Sequence, residues 1–106
     1  MKKIQYRQGD VFLERIGDYK AAPAAQAEAA QDGRVILAHG EVTGHHHSVA
    51  ESDAELVKEG ERMLLHVERQ TALEHQEHGA IVLEPGVYEV RRQREYSPEA
   101  IRNVAD

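Results

Sequence analysis

Glu55-Leu56-Val57-Lys58-Glu59-Gly60-Glu61-Arg62-Met63-Leu64-Leu65-His66-Val67 is the stretch on which the fold class turns. Two short runs rich in apolar and branched residues flank a Gly-bearing turn, which is the signature of an antiparallel β-hairpin. Thr71-Ala72-Leu73 follows as a further short strand. Beyond it, Ala80-Ile81-Val82-Leu83 and Val87-Tyr88-Glu89-Val90 flank Glu84-Pro85-Gly86. Pro presets φ at the second position of a type II turn and Gly supplies the positive φ at the third, so these two strands are expected to be adjacent.

Upstream, Gln8-Gly9-Asp10 is a turn signal before Val11-Phe12-Leu13-Glu14-Arg15-Ile16, a run of β-formers, and Asp32-Gly33 precedes the strand-like Arg34-Val35-Ile36-Leu37-Ala38-His39. Residues 41–49 continue after Gly40 with Gly44 inside them, and a Gly within a strand pattern predicts a bulge that re-aims the histidines beyond it. Seven or eight short strands separated by turns predict an all-β fold, a small antiparallel barrel or sandwich. Residues 20–32 hold seven Ala with Pro23 and no large apolar face, which predicts a mobile loop. Ser97-Pro98-Glu99 reads as an N-cap, a first-turn Pro and an acid at the positive helix end, so the tail at 97–106 is expected to carry a short helix.

With 106 residues, the chain is expected to form one domain spanning 1–106. Only 23 residues are Val, Leu, Ile or Phe, against 14 Ala, so the core is thin. Thirteen Lys plus Arg against 19 Asp plus Glu give a net charge of −6, which argues against nucleic acid or an anionic membrane as main partner. The basic, aromatic patch of Arg91, Arg92, Arg94 and Tyr96 runs against that balance, and a solvated edge strand is its simpler reading. With no apolar leader and no membrane-length apolar run, the expectation is a soluble cytoplasmic protein. The absence of Cys excludes disulfides, thiolate zinc sites and a Cys nucleophile, leaving N and O donors for any metal.

Seven His, as many as Leu, are the compositional anomaly, and five of them sit in two clusters. In Gly44-His45-His46-His47-Ser48, His45 and His47 are two apart and share one face of an extended strand, while His46 points the other way. His75-Gln76-Glu77-His78 supplies a second pair at a spacing that suits a tight turn. Together His45, His47, His75 and His78 are the expected ligands of one divalent metal ion, with Zn, Ni, Fe, Mn and Cu all compatible with an N/O set. His39, His46 and His66 read as surface or hydrogen-bonded structural residues. Glu51, Glu77 and Glu89 are candidate additional ligands or general bases. No Ser/His/Asp elbow and no Gly-rich phosphate loop is present.

The run His45-His46-His47-Ser48-Val49-Ala50-Glu51 contains HxHxxxE, which resembles the first half of the cupin motif, and residues 79–86 with their Pro-Gly turn resemble its second half. This resemblance implies a small metal-binding β-barrel with two His and a Glu as ligands. The later His of the cupin pattern is absent; Glu89 stands in its place, and His75 and His78 precede the turn. The segments 40–45 and 93–96 also resemble parts of a small uncharacterised bacterial and phage family, which implies no activity.

Two functions follow from different classes. The first is a small metal-binding protein, with metal-assisted chemistry on a small-molecule ligand if one coordination position is open and a structural ion if four His close the site. The second is a non-catalytic interaction module of phage or mobile-element origin whose histidines are incidental. A homodimer is compatible with either, because exposed edge strands invite pairing. Whether the protein is an enzyme is not legible in these residues.

Overall fold

A computed structural model of the chain describes residues 3–39 and 45–92. In chain order the elements are β1 (Gln5–Gln8), β2 (Val11–Gly17), a single 3-10 turn at Ala24–Gln26, β3 (Arg34–His39), β4 (His46–Ala50), β5 (Ala54–Glu59), β6 (Arg62–Val67), β7 (Thr71–Leu73), β8 (Ile81–Leu83) and β9 (Gly86–Arg92). All strand pairs are antiparallel, and five strands form one sheet in the order β1-β2-β9-β6-β5. β3 pairs with β4, and β7 with β8, as two separate ribbons. A bridge between Ser48 and Glu74, with Ser48 N–H donating to Glu74 O at 3.0 Å and the reverse bond at 2.8 Å, stitches the ribbons together. The fold is therefore all-β.

The expected β5–β6 hairpin forms, with Glu59 opposite Arg62, and closes through Gly60 at φ +65°. A positive φ at the first loop position matches the right-handed twist of the flanking strands, and Gly adopts it without a Cβ clash. The inward residues of the five-stranded sheet, among them Val11, Leu13, Leu56, Leu65, Val67, Tyr88 and Val90, meet Val35, Leu37, Val49, Leu73 and Leu83 from the two ribbons. One core thus lies between the sheet and the ribbons, and alternation along each strand selects which residues enter it.

The opposite face of the sheet carries Val57 beside Leu64 and, one row along, His66 beside Val87. The Ala-rich segment crosses the edge of that face. Ala27 bridges to Val57, and Glu28 N–H donates to Leu56 O at 2.7 Å, so the segment covers the β5 edge that would otherwise present open hydrogen-bonding groups. His66 is buried and its Nδ1 donates to Lys20 O at 2.7 Å, which ties the start of the segment to the sheet.

One expectation is corrected. The strands flanking Glu84-Pro85-Gly86 are not adjacent: β8 pairs with β7, whereas β9 runs between β2 and β6. Gly86 accordingly has φ 159° instead of the value a type II turn needs, and the chain crosses there from ribbon to sheet. A Cβ at Gly86 would lie 2.5 Å from Arg15 Nε and 3.1 Å from Gly17 O, so close approach to β2 is what the glycine permits. The irregularity near the histidines falls in β3, between Ile36 and Ala38, opposite Ser48 and His47. There Leu37 and Ala38 both turn into the core, and the extra residue absorbs the shift. The β1 strand, unforeseen in the sequence, forms because the Gly9-Asp10 turn pairs Gln8 with Val11. Gly40, Gly44 and the expected helix within 97–106 lie outside the described residues.

Candidate functional site

Three segments meet at one end of the core: the β1–β2 turn, the start of β4 and the β7–β8 connection. His47 shares its strand face with Val49, so it points inward at the rim of the core and is only 4% exposed. His75 and His78, from the β7–β8 connection, reach the same place. The ring centroid of His47 lies 4.4 Å from that of His75 and 6.1 Å from that of His78. His75 lies 4.6 Å from His78 and 5.6 Å from His45. The structure therefore gathers His45, His47, His75 and His78 into one cluster. His46 faces away toward His39, with ring centroids 6.2 Å apart.

Gln8 organises this cluster. Its side chain is 2% exposed, and its Nε2 donates to Leu73 O at 2.9 Å and to Gly79 O at 2.8 Å, holding both ends of the β7–β8 connection. With both amide protons committed, Oε1 accepts, and its partner is His47 Nδ1 at 2.9 Å. His47 Nδ1 therefore carries a proton. Its Nε2 stands 3.5 Å from Asp10 Oδ1, while Arg92 donates to Asp10 Oδ2 at 3.3 Å. His75 is set the other way: its Nδ1 accepts the N–H of Glu77 at 2.9 Å, which puts the proton on Nε2.

Burial, reinforced by the neighbouring His75, lowers the His47 pKa to about 4, so the ring is neutral at pH 7. His75 is also lowered, by desolvation and then by His78 and His45. Burial pushes the Asp10 carboxyl up, but the hydrogen bond and charge of Arg92 outweigh it and hold the group below the usual carboxylate range. Neutral imidazoles beside an ionised carboxylate are the protonation states in which such groups ligate metals. Among the described residues, no group of three or more His, Cys, Asp or Glu is arranged to hold a metal ion as the side chains lie.

The candidate acids separate. Glu77 Oε1 is 3.4 Å from His45 Nδ1, at the edge of the cluster. Glu89 is held between Arg91 and Arg62, at 2.6 Å and 3.3 Å. Glu51 follows β4 and lines a different depression of about 200 Å³ with Glu28, Glu55, Glu68 and His66. Neither acid of the cupin-like pattern thus joins the histidines. Arg91 pairs with Glu89 and Arg92 with Asp10, so these two cations of the basic patch are paired within the molecule; Arg94 and Tyr96 lie outside the described residues. Ser48 Oγ accepts a bond from Arg34 Nε at 3.1 Å, and Ser52 Oγ bonds Asp53. No helix among the described residues is long and apolar enough to cross a membrane.

Gln8 and Asp10 are the site residues that sequence reasoning missed. Their only signal was Gln8-Gly9-Asp10, read as a turn. Gly9 has φ +58°, and a Cβ there would lie 2.8 Å from His78 Nε2 and 3.2 Å from His47 Cε1. Gly9→Ala is accordingly expected to destabilise the fold by at least about 1 kcal/mol, read from urea unfolding, because it adds both backbone strain and a clash with the cluster.

Fold and site together define a small antiparallel β-domain with a histidine cluster at one end of its core. The chain belongs to the family described as a domain of unknown function (DUF8820), whose model matches residues 7–93. No curated protein and no solved structure matches the chain.

Proposed function

We propose that this protein binds a divalent metal ion, with His45, His47, His75 and His78 as its imidazole donors. The observation that carries this reading is the meeting of four imidazoles from two segments of the chain, with neighbouring ring centroids between 4.4 and 6.1 Å apart. Four imidazoles in contact are electrostatically costly once protonated, and a bound cation is the occupant that favours all of them neutral. Rotation of the half-buried His45 and His75 and the exposed His78 brings their nitrogens toward His47, which is fixed by Gln8. His75 joins the ion by giving up its bond to Glu77 N–H. An ion held by fewer than four imidazoles keeps an open position, and there it polarises a small molecule or activates a water.

Elemental analysis of protein purified without a His-tag tests the reading. It expects about one ion per chain and a rise in melting temperature on adding Zn, Ni, Mn or Fe. His45→Ala and His75→Ala each lower the bound metal, while His46→Ala retains it. Less than about 0.1 ion per chain with no thermal shift leaves an interaction module with incidental histidines as the surviving function.

A further inference from the structure

We propose that His39 and His46 form a second, outer metal site, two imidazoles opposed across β3 and β4 that together chelate a divalent ion such as Zn(II) or Ni(II). The pair shares no residue with the cluster at the end of the core, so the two sites stand or fall separately.

His39 and His46 are direct partners in the antiparallel register of β3 and β4. Residues so related project from the same face of a ribbon, with Cβ atoms about 4.5–5.5 Å apart. The neighbouring pair, Ala38 and His47, is buried, so alternation turns the next pair outward: His39 is exposed and His46 half-buried. Their ring centroids stand 6.2 Å apart, with the planes inclined at 56°. Two imidazoles that share one ion at metal–nitrogen distances of about 2.0–2.1 Å have centroids about 4.5–5.2 Å apart, so the rings need to close by only about 1–2 Å.

The main chain is pinned on both sides of the pair while the rings are left to turn. His46 N–H donates to Gln76 Oε1 at 2.9 Å, and His39 O accepts from Arg92 Nη2 at 3.3 Å. Among the described residues neither ring takes part in a hydrogen bond, so closing on an ion breaks none. Paired strands hold the second imidazole next to an ion caught by the first, and such linkage raises affinity over that of either donor alone by roughly 10²–10⁴. Imidazole suits Zn, Ni and Cu(II), and water fills the remaining positions. Two donors hold an ion less tightly than a larger set, so this ion leaves on dialysis and is restored by titration. His46 also lines a groove of about 480 Å³ with His75, which makes His75 the competing donor to be separated from the pair.

The test is Zn(II) titration of the full chain, followed by 1H–15N NMR of the histidine rings. The rings of His39 and His46 are expected to shift together with a single Kd. His39→Ala and His46→Ala are each expected to raise the Kd read from the remaining ring at least about tenfold. His75→Ala is expected to leave the Kd of the pair within about twofold, as for independent sites. Neither His39 nor His46 is buried, so their alanine variants keep the fold, and an unchanged backbone spectrum checks this. A His46 ring that responds equally with and without His39 overturns the chelate. An equal loss in His75→Ala also overturns it, by assigning His46 to the cluster, and so do rings that stay unshifted at millimolar Zn(II). Shifts confined to His39 and His46, with His45, His47, His75 and His78 unmoved, support the outer site and overturn the metal-binding reading of the cluster.

Discussion

Tyr88→Ala is expected to lower the unfolding free energy by about 3–5 kcal/mol, enough to unfold much of a domain this small at 37 °C. Tyr88 has no exposed surface and sits on β9, the strand flanked by both β2 and β6. Its ring stands 6.3 Å from that of Tyr6, and its hydroxyl donates to Glu84 O at 2.7 Å, just before the chain enters the sheet. Truncation removes the largest fully buried side chain of a thin core, and strands paired on both sides have little freedom to collapse into the space. Tyr88→Phe keeps the ring and loses only the hydrogen bond, so about 1 kcal/mol is expected. Urea unfolding of both variants checks the contrast. Similar losses would assign the stability to the hydroxyl and not to the buried ring.

Acid should destabilise the metal-free protein by an amount of similar size. The His47 pKa falls from 6.5 in the unfolded chain to about 4 in the fold, so between those values the unfolded state takes up a proton that the folded state refuses. The stability contributed by neutral, buried His47 is complete above about pH 6.5 and is lost as the pH falls toward about 4. The full loss is about 3 kcal/mol. Asp10 and Glu89, both held below the ordinary carboxylate range, extend the loss to lower pH. Chemical unfolding in the presence of a chelator at pH 7 and pH 4.5 measures the effect, and His47→Gln should flatten the profile over this interval. Equal stability of the wild type at the two pH values would mean that His47 is not held neutral by its burial.

The two results bear on one feature of the molecule. Its core is closed on one side by aromatic and branched residues and ends on the other in polar groups that must stay neutral. The hydrophobic residues set how much energy is available, and the histidine end sets the pH range over which the fold keeps it.

The all-β class was legible because it rests on local signals. Gly60 specifies a hairpin turn, and short apolar runs with β-forming residues fill the strands on either side. The opposite facing of His46 and His47 on β4 was legible for the same reason, since alternation along a strand is a property of the backbone alone. The partners of those strands were not legible. Glu84-Pro85-Gly86 has the composition of a hairpin turn, yet β8 and β9 enter different sheets, because the burial of Leu83 and Tyr88 in a common core outweighs the local turn preference. Gln8 and Asp10 could not be singled out either. A buried glutamine is distinguished from a solvated one only by what surrounds it, and the carbonyls of Leu73 and Gly79 lie 65 and 71 residues away in the chain.

The sequence by itself determined the kind of strand, the hairpin turn at Gly60 and the two histidine pairs, because each follows from residues within a few positions of one another. Tertiary structure alone decided that the pairs meet, that Gln8 bonds His47 and that Asp10 stands beside its Nε2, because those contacts depend on how distant strands pack to bury one core.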